Sequence, residues 1–436
     1  MKQVAFYTLG CKVNQYDTEA MITLFTAAGY ELVDFAEKAD IYIINTCTVT
    51  HQGARKSRQM IRRAKRRNPQ AIVAVVGCYP QVSPEEILEI DGVDLIVGTE
   101  GRREILDLIK QVKRADEPLN FVQDVSEVEE FEEIPIDKAE ERTRASLKVQ
   151  DGCDSFCAYC IIPYTRGSIR SRGIEDAVKE AKRLVSNGFK EIVLTGIHLG
   201  AYGREREEEF NLVTLLEELI KISDLKRIRL SSIEATEVTS DLIDLIAEEE
   251  KLCRHLHLPL QNGSDKILEA MNRDYNAKQY ADKVAEIRNK IPQIAITTDV
   301  MVGFPGETEE DFETTYQLIK ELAFSDLHVF KYSKREGTPA AKFPNQVHSK
   351  VKKKRSAKLR DLADDLASEY RKKFLGIELD VLVEEERDGR TDLLTGLTDN
   401  YLRVMIDDND QYQEELVDVK LKELREDYLI GEIKKD

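Results

Sequence analysis

Gly152-Cys153-Asp154-Ser155-Phe156-Cys157-Ala158-Tyr159-Cys160 places three cysteines four and three residues apart, just past a short apolar run at Ser146–Val149. Three thiolates so spaced can ligate three corners of a cubane 4Fe–4S cluster. A fourth cysteine would close every iron, whereas three leave one iron open to a small molecule, which is the chemically useful arrangement. A structural zinc site wants four ligands, usually in paired short spacings, and no histidine or fourth cysteine lies nearby to complete one. Gly152, Asp154 and Ser155 mark a loop, which argues against buried, inert thiols.

Outward from this loop the chain alternates strand and helix six times. The pattern predicts strands near Ser146–Val149, Glu191–Thr195, Arg227–Ser232, His255–Leu260, Ala295–Val302 and Asp326–Tyr332. Such alternation implies parallel strands with right-handed crossovers. Six units predict a partial TIM-like barrel with its working face at the C-terminal strand ends.

The first segment reads as a smaller doubly wound α/β domain ending near residue 112, with strands predicted at Val4–Leu9, Asp40–Asn45, Ala71–Val76 and, as a fourth, Ile96-Val97. Cys11, Cys47 and Cys78 each follow one of the first three. Parallel strands put their C-terminal ends along one sheet edge, so these cysteines are expected to converge on a second cluster, again with one open iron. Gly10 and Gly77 precede two of them and permit close turns. Cys253 belongs to neither triad and reads as an inert, partly buried residue.

The composition sets the limits. At 436 residues the chain is too long for one core, and 42% hydrophobic with 33% charged residues suits a soluble protein. Nothing resembles a run of about 18 apolar residues or a signal peptide, so no membrane partner and a cytoplasmic, reducing compartment are expected. A net charge of −18 argues against a generic nucleic-acid binder, yet Arg55–Arg67 and Lys350–Arg360 are strongly basic and are candidate phosphate contacts. Residues 113–141 are acidic and poorly periodic, and read as a linker. A charged helix over Ser349–Phe374 then closes a core spanning 142–370. Beyond it, strands predicted at Leu379–Val383, Asp392–Thr398, Tyr401–Ile406 and Leu416–Leu421 suggest that 371–436 form a small antiparallel barrel.

The CxxxCxxC loop at the end of the first strand of a six-fold β/α repeat resembles the radical S-adenosylmethionine superfamily. The resemblance implies S-adenosylmethionine on the open iron, with Tyr159 beside its adenine. It also implies contacts from Gly196, from Ser232 and Glu234, from Gln261, and from Gly303 and Gly306 in a glycine-rich adenine loop. Two triads around such a core resemble the methylthiotransferases along nearly the whole chain. The matching pieces are Thr8–Gln15, Asn45–Val49, Gly77–Tyr79 and Cys153–Gly167, with a C-terminal barrel like that family's RNA-binding TRAM domain.

The segments TLGCKVNQYDTEA (8–20), LTGIHLGAYG (194–203) and HLPLQNGSDKIL (257–268) resemble the branch acting on N6-threonylcarbamoyladenosine beside the tRNA anticodon. That implies radical methylthiolation of C2 with two 4Fe–4S clusters, the anticodon loop of tRNA as partner, a reductant such as flavodoxin or ferredoxin, and a sulfur donor. Arg166 and Arg170, just past the cluster loop, are expected to meet the threonylcarbamoyl carboxylate. Methylthiolation of isopentenyladenosine or of a ribosomal-protein aspartate is the alternative within the same chemistry. A non-enzymatic RNA-binding or electron-transfer protein is the alternative from another class.

Overall fold

The computed structural model describes residues 2–48, 51–113, 117–134, 143–206 and 210–434, without the side chain of His51. Val49 and the acidic residues 135–141 of the expected linker lie outside the described residues.

Six parallel strands build the N-terminal sheet, in the order Glu31–Leu32, Gln3–Thr8, Ile41–Thr46, Ile72–Gly77, Leu95–Val97, Leu119–Phe121. Every residue of Ile41–Thr46 is buried, as a strand covered on both faces must be. Its side chains alternate between two cores: Tyr42 and Ile44 pack with Val73 and Val75 on one face, Ile41 and Ile43 with Ala74 and Val76 on the other. The sheet runs past residue 112, where the sequence suggested a linker, because Leu119–Phe121 pairs with Leu95–Val97. A three-residue edge strand is too short to carry a period.

The middle of the chain supplies two three-stranded parallel sheets. Arg144–Lys148, Glu191–Thr195 and Arg227–Leu230 form one; His255–His257, Ala295–Val302 and Asp326–Lys331 form the other. Isolated bridges Ile228↔Leu252 and Ser232↔His257 join them, so the six strands curve in chain order into the expected partial barrel.

The partial barrel is open between its first and sixth strands, and the N-terminal domain fills that gap. Lys148 donates to Asp17 (3.0 Å), Arg335 to Thr48 (2.7 Å) and Thr99 to the Thr165 carbonyl (2.6 Å). All three contacts lie near the C-terminal strand ends of one domain or the other.

The last residues close a five-stranded barrel, Glu378–Arg387, Leu394–Thr398, Arg403–Ile406, Tyr428–Ile433 and Leu416–Arg425. Its pairs are antiparallel except Arg403–Ile406 with Tyr428–Ile433, a strand the sequence reading missed. This small barrel seats under the N-terminal ends of the central strands. Arg227 donates to the carbonyls of Leu397 (3.0 Å) and Asp380 (2.6 Å), and Arg229 to those of Asp399 (2.9 Å) and Thr398 (3.0 Å). Tyr401, held at φ +66°, stacks on His255 with ring centroids 4.4 Å apart.

Candidate functional site

The Cys153–Cys160 loop is set by backbone geometry first. Gly152 has φ +76°, and a Cβ there would fall 1.8 Å from the Ser168 carbonyl oxygen, so only glycine fits. Backbone bonds then pin the loop: Cys153 N–H to Gly167 (3.0 Å), Ala158 N–H to Met271 (2.8 Å) and Cys160 N–H to Cys157 (2.9 Å). All three thiols are free. Cys153 Sγ lies 3.5 Å from His198 Nδ1, and Cys157 Sγ lies 3.5 Å from an Arg273 guanidinium nitrogen.

Burial pushes Cys160 up to about 12 and also raises Cys157, which Arg273 partly offsets. Burial opposes the Cys153 thiolate too, but the His198 contact outweighs it and lowers that pKa. Beside the loop is a cavity of about 220 Å³ whose lining includes Cys157, His198, Glu234, Glu237, Asn272 and Arg273.

The second triad is assembled by topology. Cys11 follows Gln3–Thr8, Cys47 follows Ile41–Thr46, and Cys78 follows Ile72–Gly77, three neighbouring strands of one sheet. Gly10 (φ +123°) lets its loop pass against Cys47, since a Cβ there would stand 3.3 Å from the Cys47 Cβ and 2.7 Å from Asn14 Nδ2. Asn14 ties two of the loops together by donating to the carbonyls of Leu9 (2.9 Å) and Thr46 (3.0 Å). None of Cys11, Cys47 and Cys78 is in a disulfide, and Cys11 and Cys47 stand close enough to Cys78 to oppose its ionisation. Burial pushes Cys78 up to about 12, against the pull of Arg166.

Arg166 and Arg170 do not face a substrate. Arg166 is fully buried and donates to Asp151 (2.8 and 2.9 Å), Asn14 (2.8 Å) and Asp17 (3.0 Å), with Cys78 beside it. Arg170 is held by Glu100 (2.6 Å) and by the carbonyls of Arg166 and Ser168. Their nearness to Cys160 in sequence pointed to a ligand, but Asp151 of the central domain and Asp17 and Glu100 of the N-terminal domain engage them instead.

The other expected residues are spread around the barrel mouth. Tyr159 is half-buried and edges onto Phe304 at 6.5 Å. Gly196 lies where a Cβ would press on Gln150 at 2.9 Å. Ser232 is exposed beside the bridge to His257, and Glu234 pairs with Arg273 at the cavity. Gln261 takes φ +63° at an isolated bridge to Val300. Gly303 and Gly306 both have positive φ, but Gly303 packs on the Lys352 stem whereas Gly306 is open. Cys253, expected to be partly buried, is fully so.

His198 and Arg273, which touch the first triad, were missed by sequence reasoning. His198 lies in the 194–203 segment and was open to discovery; nothing around Arg273 marks it. Deeper in the barrel, His257, Asp299 and His328 bring ligand atoms within 4.8 Å of one another.

The two basic stretches differ. Arg55, Lys56, Arg62, Arg63 and Arg66 stand exposed on the helix His51–Arg67. In Ser349–Lys372, Arg355 is buried against Glu307 and Lys352 reaches the Tyr332 carbonyl, so part of that stretch serves the interior.

Comparison with known proteins follows the same divisions. Residues 3–98 match the uncharacterised protein family UPF0004, 147–319 the radical SAM superfamily and 372–434 the TRAM domain. The threonylcarbamoyladenosine tRNA methylthiotransferase MtaB of Bacillus subtilis is 47% identical over 97% of this chain and 94% of its own length. The protein of that name from Aquifex aeolicus is 43% identical, covering 92% of this chain and 96% of its own. A tRNA-2-methylthio-N(6)-dimethylallyladenosine synthase from Alkaliphilus oremlandii is 36% identical over 99% of this chain and 93% of its own.

Among solved structures, the radical S-adenosylmethionine methyltransferase TsrM of Kitasatospora setae, with cobalamin and a [4Fe-4S] cluster bound, superposes with a TM-score of 0.57. At 15% identity, covering 78% of this chain and 77% of that one, it shares the fold alone. Fold and site thus define a radical S-adenosylmethionine enzyme carrying an added domain at each end. The chain belongs to the methylthiotransferase family.

Proposed function

We propose that the protein methylthiolates C2 of N6-threonylcarbamoyladenosine at position 37 of tRNA, beside the anticodon. The observation that carries this reading is the second triad, three cysteines outside any disulfide at the ends of adjacent parallel strands on the open side of the partial barrel. The substrate follows the MtaB relatives at 47% and 43% identity in preference to the dimethylallyladenosine synthases.

Cys153, Cys157 and Cys160 would hold one 4Fe–4S cluster, and Cys11, Cys47 and Cys78 the other. Each set offers three soft donors, none tied up in a disulfide, on loops that glycines allow to close. Once bound, these clusters and S-adenosylmethionine supply radical attack on the unactivated C2–H and a methylated sulfur to place there.

The chain's own residues position this chemistry. Arg166 bridges the two domains, held by acids from both while its charge faces Cys78. Tyr159, Gly196, Ser232, Glu234, Gln261, Gly303 and Gly306 are the proposed S-adenosylmethionine contacts around the mouth. The exposed cations of His51–Arg67 and the C-terminal barrel, in a 371–436 unit, take the tRNA backbone. The auxiliary triad belongs to the N-terminal unit, expected over 1–112 and carried by its sixth strand to Phe121, and the radical core to 142–370. The target base leaves its stack to enter the barrel.

A flavodoxin- or ferredoxin-like reductant and a sulfur donor complete the partners. No helix among the described residues is long and apolar enough to cross a membrane, and we place the protein with its tRNA in the cytoplasm.

Nucleoside mass spectrometry of tRNA from cells with and without the gene tests this. Loss of 2-methylthio-N6-threonylcarbamoyladenosine with its precursor left behind is expected. An unchanged tRNA profile would reject the tRNA substrate and direct attention to ribosomal protein.

A further inference from the structure

Arg166 and Arg170 are spent on internal acids, so some other group must answer the charge that separates a threonylcarbamoyl from a hydrocarbon substituent. The barrel interior holds a chamber of about 290 Å³, lined among others by Lys12, Arg144, Arg229, Glu384 and Tyr401. Two of its three cations are already paired. Arg229 donates to Glu191 (2.7 Å) and to carbonyls of the C-terminal barrel, and Arg144 donates to Glu384 (2.8 Å).

Lys12 is different: among the described residues its ammonium makes no hydrogen bond or ion pair. Its side chain is open to the water of the chamber and stands close enough to Arg229 and Arg144 to feel their charges. Glu385 and Glu386 also line the chamber, but both are exposed and neither pairs with Lys12. An unpaired ammonium beside two more cations is a seat for an anion, because an incoming carboxylate gains a charge-assisted hydrogen bond and relieves the repulsion.

Lys12 also stands in the right place along the chain, directly after Cys11 at the start of the helix Lys12–Ala27. On adenine, N6 and C2 flank N1 on a single edge. A side chain beside the group that delivers sulfur to C2 is therefore within reach of an N6 substituent folded along that edge. Resting on the proposed function, we infer that Lys12 is a specificity-determining residue that receives the carboxylate of the N6-threonylcarbamoyl group.

The test compares two anticodon stem-loops, one carrying N6-threonylcarbamoyladenosine and the other its carboxyl methyl ester, with wild-type, Lys12→Gln and Lys12→Arg holoenzymes. Dissociation constants and kcat/KM are measured, with iron content checking that the neighbouring triad is intact. Wild type is expected to favour the free carboxylate by at least about tenfold in both. Lys12→Gln is expected to collapse that ratio toward one, and Lys12→Arg to keep most of it. An equal loss on both stem-loops, or a ratio unmoved by Lys12→Gln, overturns the assignment. A wild-type enzyme that modifies neither stem-loop overturns the substrate reading itself, a result distinguishable from the first two.

Discussion

The two cysteine triads solve one coordination problem by opposite routes. Cys153, Cys157 and Cys160 lie in a single loop, and their geometry is fixed by one glycine turn and by backbone bonds within the loop and to Gly167 and Met271. Cys11, Cys47 and Cys78 are far apart in sequence and meet only because three parallel strands end together. The first triad should therefore tolerate loosening of distant packing, whereas the second depends on the whole sheet and on the charges at its junction with the barrel. Their electrostatic settings differ as well. The first has His198 and Arg273 at the wall of an open cavity, and the second has Arg166 buried among Asp17, Asp151 and Asn14.

The largest effect expected is a clean division of labour. Replacing Cys153, Cys157 and Cys160 together by Ala should abolish 5′-deoxyadenosine formation, by at least about a thousandfold. It should also leave about four iron atoms per chain on the other triad. The matching Cys11, Cys47, Cys78 variant should keep S-adenosylmethionine cleavage and lose methylthiolation. Loss of all iron from either variant would show that the triads are not independent.

Arg166→Met should cost about 3 kcal/mol, because it removes one cation from between buried Asp17 and Asp151 and leaves them to Lys148 and Arg102. Denaturant unfolding followed across the N-terminal domain would measure it, and a shift under about 0.5 kcal/mol would mean that the bridge is not structural.

A smaller loss, about 1–3 kcal/mol with weakened iron retention at the second triad, is expected of Gly77→Ala. Its φ is +94° and its new Cβ would meet Asn45 Oδ1 at 2.4 Å, which needs a shift of the loop. The same change at exposed Gly188, which has φ +101° but nothing within 4 Å, isolates the backbone part of that cost.

The smallest effect concerns neither triad and serves as a control. Asp380 and Asp418 face each other across the antiparallel register of the C-terminal barrel. Burial and then the hydrogen bond with Asp418 raise the Asp380 pKa from 3.8 to about 6. An acid with a raised folded pKa holds its proton more tightly folded than unfolded. Its contribution is therefore most favourable below about pH 4 and is lost as pH rises through about 6. Asp380→Asn should stabilise the barrel at pH 8 by about 0.5 kcal/mol at most, seen as a raised thermal midpoint, with the gain fading toward pH 4. A gain independent of pH would count against the titration.

Much of this was legible in the sequence because the chemistry sits on regular elements. The six strands of the barrel announced themselves as apolar runs, and the first triad by its spacing. The second triad was readable only through topology, as three cysteines in equivalent places. Short edge strands such as Leu119–Phe121 carry no period and were lost in an acidic stretch. Arg166 misled because sequence nearness to Cys160 says nothing of Asp17, which arrives from another domain. Lys12 was hidden in plain view beside Cys11, since a lysine's importance here comes from having no partner, a property of the folded surroundings alone.

Tyr401 and the carbonyls that receive Arg227 and Arg229 make the C-terminal barrel the floor of the central one. The module expected to grip RNA is thus also a stopper for the reaction vessel. Cutting it away would not merely loosen the enzyme's hold on tRNA; it would unplug the vessel and admit bulk water from below to chemistry that requires a dry path between radical and base.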